Sequence, residues 1–162
     1  MDNSDIDELL DKTLAEFRLM SEEPESGLDV DDSALLQLRK SCRLLKAIEA
    51  LKKDNGYYTL IIEASFAAIE RTIQFYLLDK KYIKSGDFVD HEAIYEGGES
   101  VGLYGVDFKE KLLELWKNNR SRTYYREGIG TAKSAGLISE MAKEIHEHVL
   151  QLAGERHECI CE

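Results

Sequence analysis

Apolar residues recur at helical spacing along most of the chain, and the alternation that is typical of strands is almost absent. Proline cannot continue a helix, so Pro24 marks a break after the first one, and Asn55-Gly56 marks the end of the second. Asp32 or Ser33 is placed to cap the start of that second helix. The pattern predicts an all-α bundle of about five helices. They are a first helix before Pro24, a second at about 33–54, a third at about 57–83, a short fourth around 108–116 and a last at about 131–153.

The predicted third helix is apolar around most of its circumference. Its polar residues shrink to one stripe, formed by Glu63, Glu70 and Gln74. A helix of this kind lies at the centre of a bundle or between subunits, so we expect a homodimer. We expect the polar stripe to face solvent or the interface, because the Glu-X-X-His pairs of di-metal bundles are missing from the sequence.

The chain has 162 residues, enough for one domain with its own core. We expect an acidic N-terminal helix and linker at 1–30, a bundle domain at 31–154 and a flexible tail at 155–162. Residues 85–106 are rich in glycine and are expected to form a functional or mobile loop. This stretch lacks the Gly-Lys-Ser/Thr ending of a phosphate loop, which argues against a nucleoside triphosphatase.

Negative charge is concentrated at the start of the chain. The formal net charge is −11, and residues 1–32 account for almost all of it, with twelve acids against Lys12 and Arg18. The rest of the chain is close to neutral, so the net charge does not exclude a polyanionic partner. The acidic helix either packs its Ile6–Phe17 face on the bundle, which we prefer, or screens a basic surface elsewhere.

Three features favour a cytoplasmic protein with no membrane partner. No apolar run is long enough to span a bilayer. The acidic N-terminus lacks the basic and apolar regions of a signal peptide. The three cysteines are too few and too oddly spaced for a disulfide framework.

The most informative stretch is the basic corner, residues 117–133, which holds five bases and one acid. Arginine binds phosphate through paired N–H groups, and tyrosine rings give nucleobases a surface for stacking. The corner also leads into the start of the last helix, where free N–H groups favour anions. We expect it to bind RNA or a nucleotide, and the alternative is a solvated turn between helices. The candidate ligand-binding residues are Arg120, Arg122, Tyr124, Tyr125 and Arg126.

From residue 57 to residue 150 the sequence resembles the HEPN family of small helical domains. The similarity lies in the long alanine-bearing third helix, the variable loop and the arginines that precede the last helix. Many family members are ribonucleases marked by an arginine and a histidine four to six residues apart, and no histidine stands at those distances after Arg120 or Arg122. The resemblance implies a helical bundle that binds RNA or a nucleotide without catalysis.

Two alternatives stay open. The first is a metal-independent ribonuclease in which Tyr124 or Tyr125 takes the place of the missing histidine. The second is a protein-interaction module that docks a partner chain on the apolar third helix and has no role with nucleic acid.

The remaining histidines and cysteines carry weaker signals. His146 and His148 are expected to be packed or surface residues of the last helix, and His91 to lie in the glycine-rich loop. The tail places His157, Cys159 and Cys161 within five residues, but structural zinc sites usually draw their ligands from two spaced pairs. We therefore expect a frayed C-terminus, no metal and no cofactor.

Overall fold

The computed structural model describes residues 4–19, 25–87, 89–119, 128–154 and 159–161. These residues contain helices and no strand, which confirms the predicted all-α bundle. None of the helices in the described ranges is long and apolar enough to cross a membrane. The elements are α1 (Ser4–Arg18), α2 (Ser33–Lys53), α3 (Tyr58–Asp79), α4 (His91–Ser100), α5 (Val106–Asn119) and α6 (Ala132–Ala153).

Side chains cap three of these helices at their N-termini. The Asp32 carboxylate accepts a hydrogen bond from the backbone N–H of Leu35 at 2.7 Å, as the sequence predicts. Asp90 caps α4 in the same way, and the Thr131 hydroxyl accepts from the N–H of Ser134 at the start of α6. The last helix ends at Gly154, whose positive φ of 85° suits a residue without a Cβ.

The third helix lies at the centre of the bundle, as its apolar circumference predicts. It packs against α2, α4 and α6, and it contributes twelve buried residues. Its aromatic and branched side chains, such as Phe75 and Ile69, are almost inaccessible to solvent. The other helices of the same chain cover most of α3, so its apolar surface is no longer an argument for a homodimer. The homodimer stays a prediction.

The glycine-rich stretch is not a plain loop, because much of it forms the helix α4. Gly97 and Gly98 hide this helix in the sequence, since glycine is a poor helix former. The structure explains their presence: a Cβ on Gly97 would lie 2.9 Å from a methyl carbon of Leu77, and one on Gly98 would overlap the Tyr104 hydroxyl. That hydroxyl donates a hydrogen bond to the carbonyl of Tyr95 at 2.8 Å.

The close contact between Gly98 and Tyr104 predicts how an alanine in α4 changes stability. We expect Gly98→Ala to lower the free energy of unfolding by about 1–3 kcal/mol, because the Tyr104 ring must move and its hydrogen bond is broken. Gly136→Ala is the matched control, since Gly136 lies inside α6 with no heavy atom near its missing Cβ. That change should raise stability by about 0.5–1 kcal/mol. Denaturant unfolding measures both, and equal effects would contradict the packing described here.

The first helix does not bury its apolar face within the chain. Ile6 is 63% exposed and Phe17 is 87% exposed, so the expected packing of this face on the bundle is wrong for this structure. Helical periodicity predicts that a helix is amphipathic, but it carries no information about which surface covers the apolar side.

Candidate metal centre

Four sulfur and nitrogen donors meet where α2, α6 and the segment 159–161 come together. Cys42 lies on the buried face of α2, and His146 lies on the buried face of α6. Both helices pack against α3, which brings the two side chains next to each other in the core. The segment after α6 returns to this point and adds Cys159 and Cys161.

The donor atoms form a compact group. The Sγ atom of Cys42 lies 2.7 Å from that of Cys161 and 3.2 Å from that of Cys159. The Nε2 atom of His146 lies 3.2 Å from the Cys161 sulfur, 3.5 Å from the Cys159 sulfur and 3.7 Å from the Cys42 sulfur. All four donor atoms lie within 4.8 Å of one another.

A chain of buried hydroxyls determines the tautomer of His146, and hence which ring nitrogen keeps a lone pair. The Ser41 hydroxyl donates to the carbonyl of Ala68 at 3.0 Å, so its oxygen is free to accept from Thr72 at 2.7 Å. The Thr72 oxygen then accepts from Nδ1 of His146 at 3.1 Å. With its proton on Nδ1, the imidazole presents an unprotonated Nε2 to the three cysteines. Histidines that bind metals usually donate their other N–H in this way.

The pKa values of the three thiols are shifted in different directions by their mutual hydrogen bonds. Hydrogen bonds from Cys161 and Cys42 lower the pKa of Cys159, whereas the hydrogen bond to Cys159 raises the pKa of Cys42 to about 11. The hydrogen bond to Cys159 also raises the pKa of Cys161. Ionising all three thiols in contact is unfavourable, because the negative charges repel one another, unless a cation lies among them.

The donor set fits Zn²⁺. Three thiolates and one imidazole are a common ligand set of structural zinc, and thiolates favour zinc over the hard cations Mg²⁺ and Ca²⁺. A Zn–S distance of about 2.3 Å places the sulfurs of a tetrahedral site about 3.8 Å apart. The Cys42 sulfur lies closer than that to the other two sulfurs, so we expect it to move away from them by about 0.5–1 Å when the ion binds.

An open cleft gives the ion a path to the cluster. Its volume is about 650 Å³, and its walls come from α2, α6 and the segment 159–161. His146, Cys159 and Cys161 reach this cleft, while Cys42 lies behind them in the core. The two helices also place three lysines and two glutamates along the cleft: Lys46, Lys53, Lys143, Glu49 and Glu147.

Sequence reasoning missed two of the four donors. It found no second cysteine pair in the sequence and therefore expected no metal, but Cys42 and His146 stand 104 residues apart and meet only through tertiary packing. The available signal was a cysteine within the apolar line of one helix and a histidine beside the apolar line of another. His157, the third donor named for the tail, lies outside the described residues.

A second polar cluster joins α3, α4 and α5. The carboxylate of Glu70 accepts from Nδ1 of His91 at 2.8 Å and from the hydroxyl of Tyr95 at 3.0 Å. The His91 ring lies 5.1 Å from the ring of Trp116, measured between centroids. Glu70 is buried as well as paired, so the prediction that it faces solvent or an interface is wrong.

The flanks of the basic corner are described, although residues 120–127 are not. At the end of α5, the amide of Asn119 donates to Glu63 at 3.0 Å. On the other side, the N–H of Gly130 donates to the hydroxyl of Thr59 at 3.1 Å. A cavity of about 210 Å³ lies between these flanks. Arg120, Arg122, Tyr124, Tyr125 and Arg126 are thus not placed by the structure.

Fold and site together define a small helical domain with a cluster of three cysteines and one histidine in reach of solvent. The chain matches, over residues 1–161, the family described as a domain of unknown function, DUF8154. It belongs to that family. Comparisons with curated proteins and with solved structures give no match.

Proposed function

We propose that this domain binds one Zn²⁺ ion through Cys42, His146, Cys159 and Cys161. The observation that carries the proposal is the convergence of four soft donor atoms, within 4.8 Å, from three separate parts of the chain. Four protein ligands leave no open position for water or substrate, which is typical of structural rather than catalytic zinc. The ion would hold α2, α6 and the segment 159–161 together.

Metal analysis tests this proposal. Protein prepared with Zn²⁺ is expected to retain about one equivalent after desalting, because the four ligands together hold the ion tightly. Substitution with Co²⁺ should give the intense visible absorption of a tetrahedral thiolate site. Both signals should disappear in His146→Asn.

The control is His148→Asn, which changes an exposed histidine two positions further along α6. This variant should keep its zinc and its cobalt spectrum. Retention of zinc in both variants would point to adventitious binding, and a chain that holds no zinc at all would overturn the proposal.

A second candidate function concerns the basic corner. We propose that Arg120, Arg122 and Arg126 bind the phosphates of RNA or a nucleotide, with Tyr124 and Tyr125 stacking on bases. This is the function that the HEPN resemblance implies. The local excess of positive charge supports it, because that charge governs attraction of a polyanion more than the net charge of the chain.

The described flanks also favour a single binding corner. Asn119 and Gly130 bond to Glu63 and Thr59, which are one helical turn apart on α3. The two described ends of the basic corner therefore lie close to one place on α3. His91, fixed by Glu70, packs on Trp116 in the last turns of α5, which would supply a histidine near the corner for the ribonuclease alternative.

Replacing the three arginines by alanine tests this second candidate. We expect weaker binding of single-stranded RNA and a smaller dependence on salt. The slope of the logarithm of the binding constant against the logarithm of the salt concentration should fall by about 0.7 for each phosphate that an arginine no longer neutralises. The control removes the same charge from α2 with Lys40→Ala, Lys46→Ala and Lys53→Ala. If both triple variants bind like the parent, the corner is only a turn, and RNA cleavage by the parent would favour the ribonuclease instead.

A further inference from the structure

The residue between the two tail cysteines touches the linker that precedes α2. A Cβ on Gly27 would lie 3.0 Å from the Cδ1 atom of Ile160, so the Ile160 side chain packs directly on the backbone at this point. Gly27 has a positive φ of 86°, and the absence of a side chain there leaves room for Ile160. The segment 159–161 thus contacts the linker as well as the bundle.

Two arginines of α2 hold the same piece of linker. Arg39 donates to the carbonyl of Gly27 at 3.0 Å, and Arg43 donates to the carbonyl of Ser26. Arg43 also forms an ion pair with Glu25 at 3.0 Å. Since Arg43 follows Cys42 directly, one turn of α2 carries both a donor of the metal centre and a contact to the linker.

We infer that zinc controls how the linker residues 25–31 are held on the bundle. This inference rests on the proposed zinc site. With the ion bound, Cys159 and Cys161 are fixed to α2 and α6, and Ile160 between them covers Gly27. Without the ion, the hydrogen bonds among the thiols and His146 hold the segment more loosely, so the contact of Ile160 with Gly27 weakens. The linker residues stand between α1, whose apolar face is exposed, and α2 in the chain.

Hydrogen exchange on the zinc-loaded and the chelator-treated protein measures this coupling. Leu28 and Val30 donate backbone hydrogen bonds inside the linker, to Glu25 and Leu28 respectively. Removal of zinc should raise exchange in the peptide that covers 25–31 at least several-fold. A peptide from the buried middle of α3 should keep its protection, which separates local release from unfolding.

The variant Ile160→Ala separates the linker contact from metal binding. It keeps all four donors, so we expect it to bind about one equivalent of zinc and yet to show fast exchange at 25–31. Ile129→Ala, at an exposed isoleucine, is the control and should exchange like the parent.

The outcomes distinguish the two proposals. If Ile160→Ala protects the linker as the parent does, or if zinc removal leaves exchange at 25–31 unchanged, the coupling is overturned and the zinc site stands. If the parent binds no zinc, both proposals fail. If zinc removal also exposes the α3 peptide, the zinc-loaded Ile160→Ala protein alone decides the question.

Discussion

Removal of zinc is expected to lower the melting temperature of this domain by roughly 8–16 °C. A ligand that binds only the folded state stabilises it by about 4.1 kcal/mol when its free concentration is 1,000 times the dissociation constant. For a chain of this size, each kcal/mol changes the melting temperature by about 2–4 °C. The ion acts on three parts of the chain at once, α2, α6 and the segment 159–161. Calorimetry of the loaded protein, with and without a chelator, measures the difference.

Cys161→Ser provides the control for this experiment. It removes one donor, so the variant should melt near the temperature of the stripped parent and should not respond to the chelator. A chelator saturated with Zn²⁺ beforehand should leave the parent unchanged. If the parent and Cys161→Ser respond equally to the free chelator, the effect does not come from this cluster.

The fold was more accessible to sequence reasoning than the site, and α2 shows why. Its apolar line, its Asp32 cap and its stop near Asn55-Gly56 are all local, so the sequence predicts its start and its end closely. The central place of α3 also follows from its own composition. Helix formation depends on side chains only a few positions apart in the chain, so the sequence pattern contains the necessary information.

The metal centre depends on contacts between residues that are far apart in the chain. Cys42 is indistinguishable from a small apolar residue on its helix, because free cysteine is commonly buried. Only the packing of α2 and α6 on α3 makes it a neighbour of His146, and only the return of the chain after α6 adds Cys159 and Cys161. The same reason explains Glu70, whose partners His91 and Tyr95 come from a helix that its glycines conceal.

The Thr72 hydroxyl, which bonds to the proposed zinc ligand His146, gives a prediction about the orientation of that ligand. Thr72 is fully buried, and its oxygen accepts a hydrogen bond from the Nδ1–H group of His146. Thr72→Val keeps the shape of the side chain but leaves this N–H without its best acceptor. We expect zinc affinity to fall by about 10–100-fold, as is usual when the partner of a metal-binding histidine is removed. Competition with a chromophoric chelator measures the affinity.

Thr72→Ser is the matched control, because it retains the hydroxyl and should bind zinc nearly as the parent does. Ser41 also lies within 3.3 Å of the same nitrogen and offers a longer hydrogen bond. For that reason the double variant S41A/T72V should bind more weakly than Thr72→Val alone. Circular dichroism confirms that each variant is folded before its affinity is compared. If the single and the double variants both bind zinc like the parent, the hydroxyl chain does not orient His146, and the ligand keeps its tautomer by another route.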